Sequence, residues 1–428
     1  MALKVPHVDK KVRANRAMAA ERPGLITLDL AIAIGLGVIG LFAFYFSTTG
    51  KHGHFDYTYR VACAFMNGEV GLKQLPPSWL NEFVNYKGEY YSVFPLGAVL
   101  SMLPLAVLHK MHLINEFRGR FVAAIVAGAC VFFFYQLSAV RDVSMARRIM
   151  LALFPVFGTW TWTNLGFAGA WQVALGLALL GEAAALYFTL VKPRPMWAGV
   201  FFALAFGNRT EIILTAPIFL YFWLAPDMPG LWTFLVKIKD HVQQNWKKAA
   251  FFLAVPSALL LFTAIYNFAR FESLTDFGYS RIPNLLNEPW YKHGVFSFHA
   301  IPWNAFKMLL EGVHDLPVFP YFQAYPFGTS IFLSSPFLFL LFREGGKYKA
   351  ICWLAIGAMT LVLWCHGNPG GWQFSYRYGI ILIPWMFLLI LSNGPARLST
   401  IEVALFLVSI AINAVSTYQF LWTDVIHP

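Results

Sequence analysis

The chain has 428 residues, of which 58% are hydrophobic, 18% aromatic and only 12% charged, about half the charged share of an ordinary soluble domain. An apolar helix of about 20 residues crosses a bilayer, and about ten or eleven such stretches consume most of the length. A large soluble catalytic domain is thereby excluded, and the net charge of +11, from 32 Lys and Arg against 21 Asp and Glu, matters through where the positive residues fall.

Taken in chain order, Lys4, Lys10, Lys11, Arg13, Arg16 and Arg22 precede the apolar run Leu25 to Phe46. That run is too long for a cleaved signal and lacks its small-residue exit, so a basic cytoplasmic tail (1–24) and an uncleaved first span are expected. A long polar and aromatic stretch, 47–119, follows on the outer side. Within it, Phe55, Tyr59, Ala62 and Phe65 recur at helical spacing, which predicts an amphipathic helix lying on the membrane surface. Pro95 to His109 is apolar but short, and reading it as an interfacial helix keeps Arg141, Arg147 and Arg148 inside.

Spans are then expected near 120–140, 149–164, 170–190, 196–208 and 210–225. Lys192 with Arg194, and later Lys237, Lys239, Lys247 and Lys248, fall on the inner side. The short pair 196–208 and 210–225 reads as a helical hairpin with Asn208, Arg209, Thr210 and Glu211 at its outer tip. A span near 249–270 leads to a second long outer segment, 271–327. Spans near 328–342 and 350–366 flank Arg343, Lys347 and Lys349, and the last two, near 378–392 and 400–421, enclose Arg397 and leave 422–428 outside. The expected architecture is an all-α polytopic membrane protein with about 11 transmembrane helices, twelve being the alternative, in one membrane domain over 25–421.

Cys63, Cys130, Cys352 and Cys365 have neither paired nor metal-ligand spacing. No internal repeat, nucleotide-binding glycine loop or heptad seam is present.

The short inner loops point to chemistry on the outer face. Asp56, in Phe55-Asp56-Tyr57-Thr58-Tyr59-Arg60, is ionised at neutral pH and has the character of a base, although a helix-start carboxylate paired with Arg60 at i+4 is the bland alternative. Arg377, in Trp372-Gln373-Phe374-Ser375-Tyr376-Arg377-Tyr378, stands at an outer span end, where a guanidinium needs an anionic partner such as a phosphate. Arg209 with Glu211 repeats that arrangement, with a simple ion pair or snorkelling as the alternative. Outer aromatics, Trp79, Tyr86, Tyr90 and Tyr91 among them, fit an interfacial belt or sugar stacking. His52 and His54 flank Asp56 at metal-like spacing, but no further acidic or His cluster completes a site locally.

The order of these features resembles bacterial GT-C superfamily glycosyltransferases, which include protein O-mannosyltransferases and lipid A aminoarabinose transferases. The resemblance rests on one span, an acidic residue opening the first outer loop on an amphipathic helix, and the stretch Tyr86-Lys87-Gly88-Glu89-Tyr90-Tyr91-Ser92-Val93-Phe94-Pro95-Leu96-Gly97. It continues in Phe271-Glu272-Ser273-Leu274-Thr275-Asp276-Phe277-Gly278-Tyr279 and Trp372 to Tyr378, and covers about 25–392.

What it implies is an enzyme of the cytoplasmic (inner) membrane with its active site on the outer face. The enzyme moves a sugar from a polyprenyl-phosphate carrier, with inversion, to a hydroxyl of a cell-envelope glycan, lipid or protein; nucleic acid has no part. Asp56 would match the family's catalytic Asp, Arg60 would meet the donor phosphate with Arg377 and Arg209, and Glu89 would match a second acidic position. His54, Tyr91, Trp372 and Tyr376 would support the site or the acceptor. Many members carry paired acidic residues where this chain has Asp56 between Phe55 and Tyr57, which leaves a divalent metal open. A transporter or flippase of a lipid-linked glycan would need ionisable residues mid-span, where this chain offers Glu182 and Gln172 and no repeat. A non-catalytic membrane subunit is the third alternative.

Overall fold

A computed structural model describes residues 28–426; the basic tail read at 1–24 and the last two positions lie outside the described residues. Helices dominate. Among the described residues, five are long and apolar enough to cross a membrane: Leu28–Ser47, Gly119–Val140, Ala170–Leu190, Ile238–Phe271 and Thr400–Trp422. Shorter apolar helices, Pro195–Asn208, Thr210–Leu224, Lys349–Cys365 and Arg377–Asn393, lie among them. The chain is therefore built to be embedded in a membrane.

Helix association in lipid rests on close backbone approach at small residues. Leu28–Ser47 leaves Ile34, Val38, Ile39 and Phe42 exposed and meets Gly119–Leu137 at a glycine contact, where a Cβ on Gly128 would stand 2.5 Å from the Gly37 carbonyl oxygen. A second such contact, between Gly97 and Gly207, pins the 47–119 segment to the end of Pro195–Asn208; a Cβ on Gly97 would fall 2.4 Å from the Gly207 Cα. Gly97→Ala is thus expected to cost about 1–3 kcal/mol through forced backbone separation, read as a lowered thermal midpoint in detergent.

Four arginines, Arg141, Arg147, Arg148 and Arg343, gather at one end of the bundle. Arg148 pairs with Asp29, at the start of Leu28–Ser47, at 2.8 Å. Arg141 donates to the Leu391 (3.1 Å) and Ser392 (2.8 Å) carbonyls, the free C-terminal carbonyls of helix Ile383–Asn393. Arg147 is completely buried and holds Glu402 at 3.1 Å, while Arg343 reaches the same carboxylate at 2.7 Å. Glu402 also closes a capping box with Ser399 at the start of Thr400–Trp422. Arg147, read from sequence only as an inner-side charge, is part of a buried clamp.

At the opposite end, the indole N–H groups of Trp162 and Trp422 donate to the Ser47 hydroxyl (2.8 Å) and carbonyl (2.9 Å). Three more differences from the sequence reading lie there. Helix Tyr57–Phe65 is not laid open on a membrane surface: Tyr57, Tyr59, Val61 and Ala62 are buried under Leu80, Phe83, Phe94, Val99 and Met102. Its amphipathic pattern faces a second apolar cluster largely within the 47–119 segment rather than lipid. Pro95 to His109 breaks into two short helices, Leu96–Leu100 and Leu103–Lys110, neither long enough to cross. Between them and Tyr57–Phe65 stands a hairpin that the helical pattern did not announce. Strands Phe83–Tyr86 and Glu89–Ser92 pair Tyr86 with Glu89, so Lys87 and Gly88 form a two-residue turn, both with positive φ. The hairpin is fastened to the start of the 271–327 segment by Phe271, whose ring meets Tyr86 and Tyr91 edge-on, and by the Lys87–Glu272 ion pair.

Candidate active site

A cavity of about 1350 Å³ opens at this end, between the 47–119 segment, residues 275–296, and the ends of Pro195–Asn208 and Lys349–Cys365. Its position follows from three local breaks. Helix Pro195–Asn208 stops because Arg209 adopts an extended backbone (φ −137°, ψ 101°) before a 3₁₀ turn, Thr210–Thr215, restarts the chain. The glycine-rich 367–371 stretch ends in Ser375, held at φ 55°, and the chain re-enters as a 3₁₀ turn at Arg377. Helix Ala170–Leu190 begins beside the outer segment, where the Ala170 amide donates to the Phe55 carbonyl at 2.8 Å. Each break delivers a polar side chain to the cavity wall: Arg209, Arg377 and Trp171.

The two arginines differ in their partners. Arg209 is paired with Glu211 at 2.7 Å, both largely buried, and lies 4.9 Å over the Tyr378 ring. Arg377 takes part in no ion pair among the described residues; its guanidinium donates to the Tyr378 hydroxyl at 3.4 Å, and its Nε is buried without a partner. A half-buried cation without an anion is costly, and a bound anion would offset that cost.

Glu82 shares the cavity with the carboxylates Glu211, Asp276 and Glu288, and feels the charge of Arg377. It lines the cavity and accepts the Trp171 indole N–H at 2.9 Å through Oε2, while its other oxygen makes no hydrogen bond among the described residues. Burial raises Glu82 to about 7; the Trp171 hydrogen bond and the Arg377 charge oppose that rise, and Glu288 adds to it. The neighbouring His52 ring stacks on Phe167 at 4.5 Å between centroids. Burial, reinforced by the charges of His54, Arg377 and Lys51, lowers it to about 4, so it is neutral at pH 7. His366 is likewise lowered by burial, against the pull of its 2.7 Å contact with the Asn368 carbonyl. Tyr279, Tyr291, Trp372 and Tyr378 supply aromatic walls.

Of the residues singled out from sequence, His52, Trp79, Tyr90, Gln172, Arg209, Glu211, Trp372 and Arg377 are among those that line this cavity. Asp56 and Arg60 do not: Asp56 is buried at the start of Tyr57–Phe65 and receives Arg60 Nε at 2.7 Å, the bland alternative weighed for it. His54 lies against Phe55 at 4.2 Å and His52 at 6.3 Å between ring centroids. Glu89 accepts the Tyr91 hydroxyl at 2.9 Å on the hairpin. Tyr376 is fully buried behind the wall and donates to the Leu363 carbonyl at 3.1 Å. Glu182, weighed as a mid-span ionisable group, accepts the Trp385 indole N–H at 2.5 Å and stands apart from the cavity. Among the described residues, no group of three or more His, Cys, Asp or Glu is placed to hold a metal ion, and the four cysteines are unpaired.

No family model matches the chain, and no curated protein and no solved structure matches it either. What the cavity can do must be read from its own residues.

Proposed function

We propose that this chain is a membrane-embedded glycosyltransferase whose cavity takes a polyprenyl-phosphate-linked sugar and passes the sugar to an acceptor hydroxyl. The observation that carries the reading is Arg377, a cation without an ion-pair partner among the described residues, at the mouth of a helical bundle, beside a second arginine and inside a cavity walled by aromatic rings. A guanidinium at such a position favours a phosphate, which accepts two hydrogen bonds from its planar fork. The aromatic walls suit the apolar faces of a sugar, and the apolar outer surface of the bundle suits an isoprenoid tail.

The wider reading is that of the resemblance: a GT-C-like enzyme of the inner membrane, with eleven crossings, the arginine clamp inside and the cavity outside. Breakage of the donor's C1–O bond leaves negative charge on the phosphate. Arg377 and Arg209 would stabilise that charge as it develops, the kind of contact that differs between ground and transition states.

The test is to place the purified chain in liposomes with a polyprenyl-phosphate sugar labelled in the sugar and a mixed envelope extract as acceptor. Label passing to the acceptor, with polyprenyl phosphate released in equal amount, is expected. Movement of intact donor across the bilayer without bond cleavage would replace the transferase with the transporter.

A further inference from the structure

We infer that Glu82, rather than the first-loop Asp56, is the catalytic residue that takes the proton from the acceptor hydroxyl. This rests on the transferase reading and names the base within the same cavity.

Three observations on geometry carry it. Glu82 lines the cavity that Arg377 and Arg209 line, and Asp56 does not. One Glu82 oxygen is fixed by the Trp171 indole N–H at 2.9 Å, which orients the carboxylate and leaves the other oxygen free for a hydroxyl donor. Asp56 is held by Arg60 at 2.7 Å through Oδ1, with only 11% of its side chain exposed, and it forms no part of the wall that the two arginines share. The fold supports Glu82 from both sides: it immediately precedes strand Phe83–Tyr86, and Trp171 opens the long helix Ala170–Leu190. Neither can shift without moving an element packed in the outer apolar cluster.

The step balances within donor and acceptor. The acceptor oxygen forms a bond to C1 of the sugar as its proton passes to Glu82. The C1–O bond to phosphate breaks, and its electron pair remains on the phosphate, against Arg377 and Arg209. The neutral Glu82 then returns its proton to water or to the departing phosphate. A proton affinity near neutrality suits such a base, because it is ionised in a useful fraction while still able to hold the proton it receives.

Glu82 must be ionised to act. Wild-type turnover should therefore rise about tenfold per pH unit below about 7 and level off above it.

Glu82→Gln and Asp56→Asn, each purified as the full chain in liposomes, separate the two carboxylates. Glutamine still accepts the Trp171 N–H, so Glu82→Gln should fold and retain the donor, measured by binding of polyprenyl phosphate, while turnover falls about 100-fold or more. It should also lose the pH dependence below 7. Asp56→Asn should lose less turnover than Glu82→Gln and keep the pH-dependent limb. The inference is overturned if Glu82→Gln transfers sugar at the wild-type rate, or if Asp56→Asn abolishes the limb and Glu82→Gln preserves it. A wild-type chain that transfers nothing defeats the transferase reading itself, a result distinct from either.

Discussion

Arg377→Ala is expected to lower sugar transfer by about two to three orders of magnitude, the usual consequence of removing one electrostatic contact to a developing anion. The guanidinium makes no ion pair among the described residues and keeps one nitrogen buried without a partner, so its removal leaves no stranded carboxylate and the fold should persist. Arg377→Lys restores the charge without the planar fork and should fall between the two. Arg209 gives a different result, because it also neutralises Glu211 at 2.7 Å. Arg209→Ala leaves that carboxylate largely buried and alone, and should cost stability as well as turnover. The measurement is kcat/KM for the polyprenyl-phosphate sugar beside a thermal midpoint for each variant. Wild-type kcat/KM in Arg377→Ala would remove this residue from the site.

The second large effect lies at the other end of the molecule. Glu402→Gln is expected to destabilise the fold by about 3–5 kcal/mol, because it leaves two guanidinium groups, Arg147 fully buried and Arg343 partly so, without their shared anion. Arg343→Gln should cost less: its side chain is 24% exposed, and Arg147 still neutralises the carboxylate. Denaturant or thermal unfolding in detergent measures both, and equal small losses would show that the clamp does not hold helices Met145–Phe157 and Thr400–Trp422 together.

These contrasts show which parts of the molecule sequence reasoning reaches. Collection of Arg141, Arg147, Arg148 and Arg343 at one end was legible, because loop charge and apolar length are local properties. That Arg147 is buried against Glu402 was not, since the two residues stand 255 positions apart and nothing local marks one as the other's partner. The interruption at Arg209 was legible from two apolar runs too short to stand alone. The helix at 57–65 was legible from its spacing, but what covers it was not: residues from 80 to 102 fold over it, and lipid and protein offer an apolar face the same reward. Asp56 drew attention through its place after the first span. Glu82 drew none, because the short Phe83–Ser92 hairpin and an indole donated from Trp171 make it a cavity carboxylate, and both are tertiary facts.

The most direct test of the central claim is an experimental structure of the liposome- or nanodisc-embedded chain saturated with polyprenyl phosphate. The account predicts the phosphate in the cavity with its oxygens on the Arg377 guanidinium, Arg209 beside it and Glu82 facing the vacated sugar position. A head group bound elsewhere on the bundle, with the Arg377 side chain unchanged and the cavity without it, would contradict the account.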